Sequence, residues 1–180
     1  MRHKVKGITL IEMIFTMGLI AIMSMMAIPY MQNLIAKQKL SADLLKIKGI
    51  IETARNKAIT HRYKVKICGL ETAIEAVAEQ EPRCSSDWSN LNVIMSKSGK
   101  DPQILHSLHL NQHYDLIEWS AFQRKPYLEL TPNGFTNHQN GTLYICHPNF
   151  SNLHRAVVVS KTGRVSIKKN NPAITKKCNS

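Results

Sequence analysis

From Met13 to Ala36 the chain runs 24 residues without a charge, and this run limits what the remainder can fold into. A bilayer core of about 30 Å takes about 20 helical residues, so the run is long enough to span one. Arg2, His3, Lys4 and Lys6 precede it, and Lys37 and Lys39 follow it. A short basic head places the N-terminus on the cytoplasmic side. The run is not a cleaved secretory signal, whose small-residue cleavage site follows the apolar core. Here the candidate cut, after Gly7, precedes the run, which stays in the mature chain. Glu12 stands out, because a carboxylate near the start of a membrane helix costs a few kcal/mol unless it is paired or protonated. A cut after Gly7 gives Ile8 a free α-amine and makes Glu12 the fifth residue. Glu12 is then placed to neutralise the amine of a neighbouring subunit as helices stack.

Gly7-Ile8-Thr9-Leu10-Ile11-Glu12, the apolar helix and Pro29 together resemble the N-terminus of type IV pilins and pseudopilins. The resemblance implies cleavage after Gly7 by a prepilin peptidase and N-methylation of Ile8, which stands where Phe is commoner. It also implies anchoring in the inner membrane and assembly with other pilins or pseudopilins through the N-terminal helix.

The chain has 180 residues, so one modest domain follows the membrane segment. Its formal charge is +12. Loss of residues 1–7 removes Arg2, Lys4 and Lys6, leaving 21 basic residues against 12 acids, or +9. Such a balance suits an acidic partner, with a solvated basic surface as the plain alternative. Cys68, Cys84, Cys146 and Cys178 form no CxxC pair and no zinc-ligand spacing, so no metal site is expected, and the Cys146-His147 adjacency reads as chance. In an exported domain the thiols meet an oxidising space where disulfides persist. Three pairings remain open; local closure favours Cys68–Cys84 and Cys146–Cys178.

Beyond the span the helix is expected to continue. Leu40, Leu44, Ile47, Ile51, Ala54 and Ala58 make one apolar stripe at alternating steps of four and three. Pro29 should bend the helix, since it removes a backbone donor. From Tyr63 the period becomes two. Residues 63–68, 91–95, 104–110, 116–119, 127–130, 142–146, 156–160 and 164–168 read as short strands, with turns at Ser98–Pro102, Pro132-Asn133-Gly134 and Asn140-Gly141. Residues 70–81, which hold Glu71, Glu75, Glu79 and Glu81, read as a short amphipathic helix or solvated insert. The expected class is α+β, a long N-terminal helix packed on an antiparallel β-domain. The expected division is a leader at 1–7, a membrane half-helix at 8–36, an amphipathic half-helix at 37–62 and an exported domain at 63–180.

Trp88 after Cys84, Pro132-Asn133-Gly134, Gly141 to Cys146, Val157 to Val165 and the last Cys178 resemble the FimT/GspH branch of minor pilins and type II secretion pseudopilins. Some members of that branch are implied to bind DNA for natural transformation through a Gly-Arg-x-Arg motif. Here that stretch is Gly163-Arg164-Val165-Ser166, with Ser166 where the motif has its second arginine.

The residues make an independent case for DNA. After Glu129 the remaining 51 residues contain no acid but hold Arg155, Lys161, Arg164, Lys168, Lys169, Lys176 and Lys177. On a strand, Arg164, Ser166 and Lys168 share one face while Val165 and Ile167 turn to the core. Lys161 sits at the hairpin tip, and Lys169, Lys176 and Lys177 extend the groove. Such contacts hold double-stranded DNA by its phosphates without sequence preference. The tail has little aromatic interleaving, so stacking on single strands is not expected from it. No nucleophile elbow, P-loop or HExxH motif is present, so neither catalysis nor a cofactor is expected. Two readings result: a DNA-binding minor pilin of a type IV pilus, or a structural GspH-like pseudopilin of a secretion or pilus-priming fibre without DNA binding.

Overall fold

The structure is a computed structural model and describes residues 9–70, 83–96, 102–110 and 114–179, without the side chains of 26–29. The leader, the cut site at Gly7 and Ile8, the acidic insert and most of the 98–102 turn lie outside the described residues. Compactness divides the chain into Met1–Lys39 and Leu40–Ser180.

In the first unit, α1 (Leu10–His61, 52 residues in all) opens on a capping arrangement. Thr9 precedes it, and the Glu12 amide donates to Thr9 Oγ1 at 3.4 Å, which satisfies one of the free donors at the helix start. Large apolar side chains from Leu10 to Ile35 are exposed around the helix. Such a surface is at home in lipid or against other helices. No single described helix is long and apolar enough to cross a membrane. Leu10–Met25 and Tyr30–His61 meet the requirement as a pair, bent by 45° across a short break. Pro29, expected to bend the helix, lies between the two stretches in the sequence.

In the second unit the expected stripe is the buried face of α1: Leu40, Leu44, Ile47, Ile51, Ala54 and Ala58 are all in the core. Among the described residues eight strands form two antiparallel sheets. β1 (Lys64–Gly69), β2 (Asn90–Ser96), β3 (Gln103–His109) and β5 (Tyr127–Leu130) make the first, in the order β3-β2-β1-β5. β4 (Leu116–Ala121), β6 (Gly141–Cys146), β7 (Arg155–Val159) and β8 (Val165–Lys169) make the second, in the order β4-β6-β7-β8. Val65, Ile67, Leu91, Val93, Leu128 and Leu130 fill the inner face of the first sheet. Ile117, Trp119, Leu143, Ile145, Val157 and Val159 fill that of the second.

The segment 83–89 joins the sheets. Trp88 stacks on Trp119 with ring centroids 4.5 Å apart. The Trp88 amide donates to Ile117 O, and the Trp119 amide donates to Ser86 O. Gly69 permits this approach, since a Cβ there would stand 1.6 Å from Asp87 O. Disulfides join Cys68 to Cys84 and Cys146 to Cys178. The second ties down α2 (Pro172–Cys178), a helix not foreseen from the sequence. Its start was written there: Asn171 accepts from the Ile174 amide at 2.9 Å, and Pro172 occupies the first turn.

Candidate nucleic-acid interface

β8 is the edge of the second sheet, so its outer side has no strand partner. Register sets the faces. Val165 and Ile167 lie opposite Val159 and Val157 on the core side, while Ser166 and Lys168 lie opposite Val158 and Ala156 on the other. The edge position modifies one expectation: Val165 is buried, but Ile167 is 37% exposed, because no further strand covers it. Arg164, just before the strand, is exposed, as is Lys168. Four strand steps separate them by about 13 Å.

The turn that delivers Arg164 is tightly specified. Ser160 N donates to Arg164 O, Gly163 N donates to Ser160 O, and Arg164 N donates to Ser160 Oγ. Gly163 has φ +74°, and a Cβ on it would stand 2.4 Å from Gly134 O, so both conformation and space demand glycine. Lys161 lies in this turn with its side chain exposed and its carbonyl accepting from the Thr136 amide at 3.0 Å.

The other predicted cations divide. Lys169 pairs in register with Arg155 on the core-side face, opposite to Lys168, so it does not extend the same row. Arg155 is committed to the fold, donating to Asn152 O and His154 O. Lys177 on α2 is 3.0 Å from Glu118 Oε1. The acid-free run in sequence is therefore not acid-free in space, because β4 brings Glu118 to α2. Lys176 is exposed on α2. Arg164, Ser166 and Lys168 thus share one face, on which two exposed cations flank a half-buried hydroxyl. Sequence reading missed Arg124 and Lys125, exposed in the β4–β5 turn at the same end as Lys161; their short distance from Phe122 was the available signal.

Among the described residues, Cys146, His154 and Cys178 bring ligand atoms within 4.8 Å of one another. Both sulfurs are consumed by the disulfide. His154 Nδ1 accepts from the His147 amide at 3.1 Å, so its lone pair is also in use. Burial holds His154 below the usual imidazole range, opposed by nearby Asp115. The cluster is a packed corner of the fold. A groove of about 400 Å³ runs between α1 and the edge strand β3, lined by Ile50, Ala54, Leu105 and Leu108 with Lys46 and Lys57 beside them.

Comparison with known proteins matches this architecture. The family model of the type II transport protein GspH covers residues 46–163, and the prokaryotic N-terminal methylation motif covers residues 2–28. Two crystal forms of the type IV minor pilin FimU of Pseudomonas aeruginosa PAO1 share the fold at 18% identity, with TM-scores of 0.54 and 0.51. The matches cover 73% and 71% of this chain and 89% and 91% of those chains. No curated protein matches. The methylation motif implies processing by a prepilin peptidase and membrane-anchored assembly with other pilins. With its long N-terminal helix and antiparallel sheets, this chain belongs to the GspH family, the pilin-like minor pilins and pseudopilins of type IV pili and type II secretion.

Proposed function

We propose that this chain is a minor pilin of a type IV pilus that holds double-stranded DNA on the outer edge of its second sheet, as a component of DNA uptake in natural transformation. The observation that carries the reading is the row made by exposed Arg164, half-buried Ser166 and exposed Lys168 at the start of and along an edge strand. Cations on an extended strand hold phosphates and read no bases, as uptake of arbitrary DNA requires. Lys161 lies in the turn that precedes the row; Lys169, Lys176 and Lys177 add field rather than direct contacts.

Full-length protein in an uncharged detergent, titrated against fluorescent random-sequence duplex, is expected to bind at micromolar affinity or weaker. The log–log salt slope should be roughly −2 to −4, at about −0.9 per phosphate. Arg164→Gln with Lys168→Gln should flatten it by about two contacts and leave thermal unfolding near wild type. Ser166→Arg should tighten binding. Absence of binding by the wild-type protein at low salt sinks the reading. The structural pseudopilin alternative would then stand, favoured by the apolar groove beside α1, a surface suited to a neighbouring subunit.

The same reading makes 1–7 a leader cut after Gly7, Ile8 the N-methylated first residue, and 8–36 a single pass through the inner membrane. Residues 37–62 continue the helix, and 63–180 form the exported periplasmic domain. Glu12 pairs with the Ile8 amine of a neighbour during assembly. The motif matched at residues 2–28 supports this layout. Intact-mass analysis of protein from its host should show a chain beginning at methylated Ile8; a mature mass that retains Met1 to Gly7 contradicts the assignment.

A further inference from the structure

The end of the second sheet that carries the β7–β8 turn also carries two exposed aromatic rings, supplied by other turns. Ala121, Gly141, Val159 and Val165 lie in register across β4, β6, β7 and β8. Phe122, Asn140, Ser160 and Arg164 follow or precede them directly and so form a row about 14 Å across, at about 4.8 Å per strand. Hydrogen bonds fix the turns to one another. The Phe122 amide donates to Asn140 O at 3.0 Å, and the Thr136 amide donates to Lys161 O at 3.0 Å. Gln139 Nε2 donates to Gln123 Oε1 at 2.9 Å. Phe135 is held in its own turn, where its carbonyl accepts from the Thr131 amide at 2.8 Å.

Phe122 as a residue is 78% exposed and Phe135 51% exposed. One exposed phenylalanine needs no explanation. Two on one rim, among the exposed cations Arg124, Lys125, Lys161 and Arg164, form a pattern with a chemical meaning. None of residues 121–126, 131–140 or 160–164 is acidic. Glu129, which reaches this region through Asn137 Nδ2 at 3.0 Å, is buried. Rings beside cations are the combination that holds single-stranded nucleic acid: bases stack on the rings while the cations track the backbone. Along its length a duplex keeps its bases stacked internally and offers such rings no face; only its two end pairs are open.

We propose that Phe122 and Phe135 stack against unpaired bases, so that this end of the domain prefers single-stranded DNA to blunt duplex. This rests on the DNA reading above and adds a substrate form to it. This departs from the expectation of no stacking drawn from the residues after Glu129: Phe135 is itself one of them, and Phe122 comes from the β4–β5 connection.

The test compares a labelled oligothymidine with a blunt random-sequence duplex of the same length, both titrated with full-length protein in uncharged detergent. The oligothymidine should bind more tightly at matched salt. Phe122→Ala and Phe135→Ala should each weaken oligothymidine binding by roughly five-fold or more, with duplex affinity and its salt slope unchanged. Phe122→Trp should retain the preference and Phe122→Leu should lose it, since leucine is apolar but has no π-face. Unchanged oligothymidine binding in the alanine variants, with normal duplex binding, overturns the stacking proposal and leaves the duplex reading intact. Equal weakening of both forms overturns it too. Lost self-association in sedimentation with DNA binding intact would assign the rings to a subunit contact instead. Failure of wild type to bind either form removes the DNA reading as a whole.

Discussion

Trp88→Ala is expected to destabilise the domain by about 3–5 kcal/mol. Trp88 is wholly buried, stacked on Trp119 at 4.5 Å between centroids. Its indole N–H donates to Pro126 O at 3.2 Å. Truncation opens a cavity where the two sheets meet, removes the ring pair and strands the Pro126 carbonyl. A domain has a net stability of only about 5–15 kcal/mol, so this is a large fraction of the whole. Trp88→Phe keeps a ring but not the donor, and should cost about 1–3 kcal/mol. Denaturant unfolding of the variants checks both values. A loss below about 1 kcal/mol for Trp88→Ala would show that segment 83–89 is not what joins the sheets.

Removing the second disulfide with Cys146→Ser and Cys178→Ser should cost about 4 kcal/mol, the chain-entropy value for its 32-residue separation. The structural consequence is specific. α2 has seven residues, too few to persist alone. Its other anchors are the buried Ile174 and the Lys177–Glu118 pair, a partly exposed ion pair worth less than about 1 kcal/mol. The variant should therefore lose amide protection across 172–178. Protection of α2 at wild-type level, with a loss under about 1 kcal/mol, would mean that packing rather than the crosslink holds it.

The sequence was most legible where periodicity and burial coincide. The stripe from Leu40 to Ala58 is the face that α1 sets against the core; its steps of four and three fit a heptad seam as well, and the strands that follow favoured packing on a sheet. The strands β6, β7 and β8 were legible to within a residue at each end, because alternation and glycine turns bracket them, while β4 runs two residues past its expected end at 119. α2 was missed because seven residues carry too little periodicity, although Asn171-Pro172 marked its start. The candidate interface was half legible. A strand's period of two placed Arg164, Ser166 and Lys168 on one face without knowledge of the fold. Nothing in sequence spacing shows that Glu118, far upstream, meets Lys177, or that Phe122 and Phe135 share a rim with Lys161. Those are consequences of sheet order, with β4 beside β6 and β8 beside β7.

The central claim, that DNA lies along the β8 edge, is tested most directly by amide hydrogen exchange of the full-length protein with and without saturating random-sequence duplex. The free backbone donors of an edge strand are good reporters, since no neighbouring strand protects them. The account predicts slowed exchange from Ser160 to Lys169 and unchanged exchange along β3 and the groove beside α1. Slowed exchange along β3, or none between Ser160 and Lys169 when the duplex is bound, would contradict it.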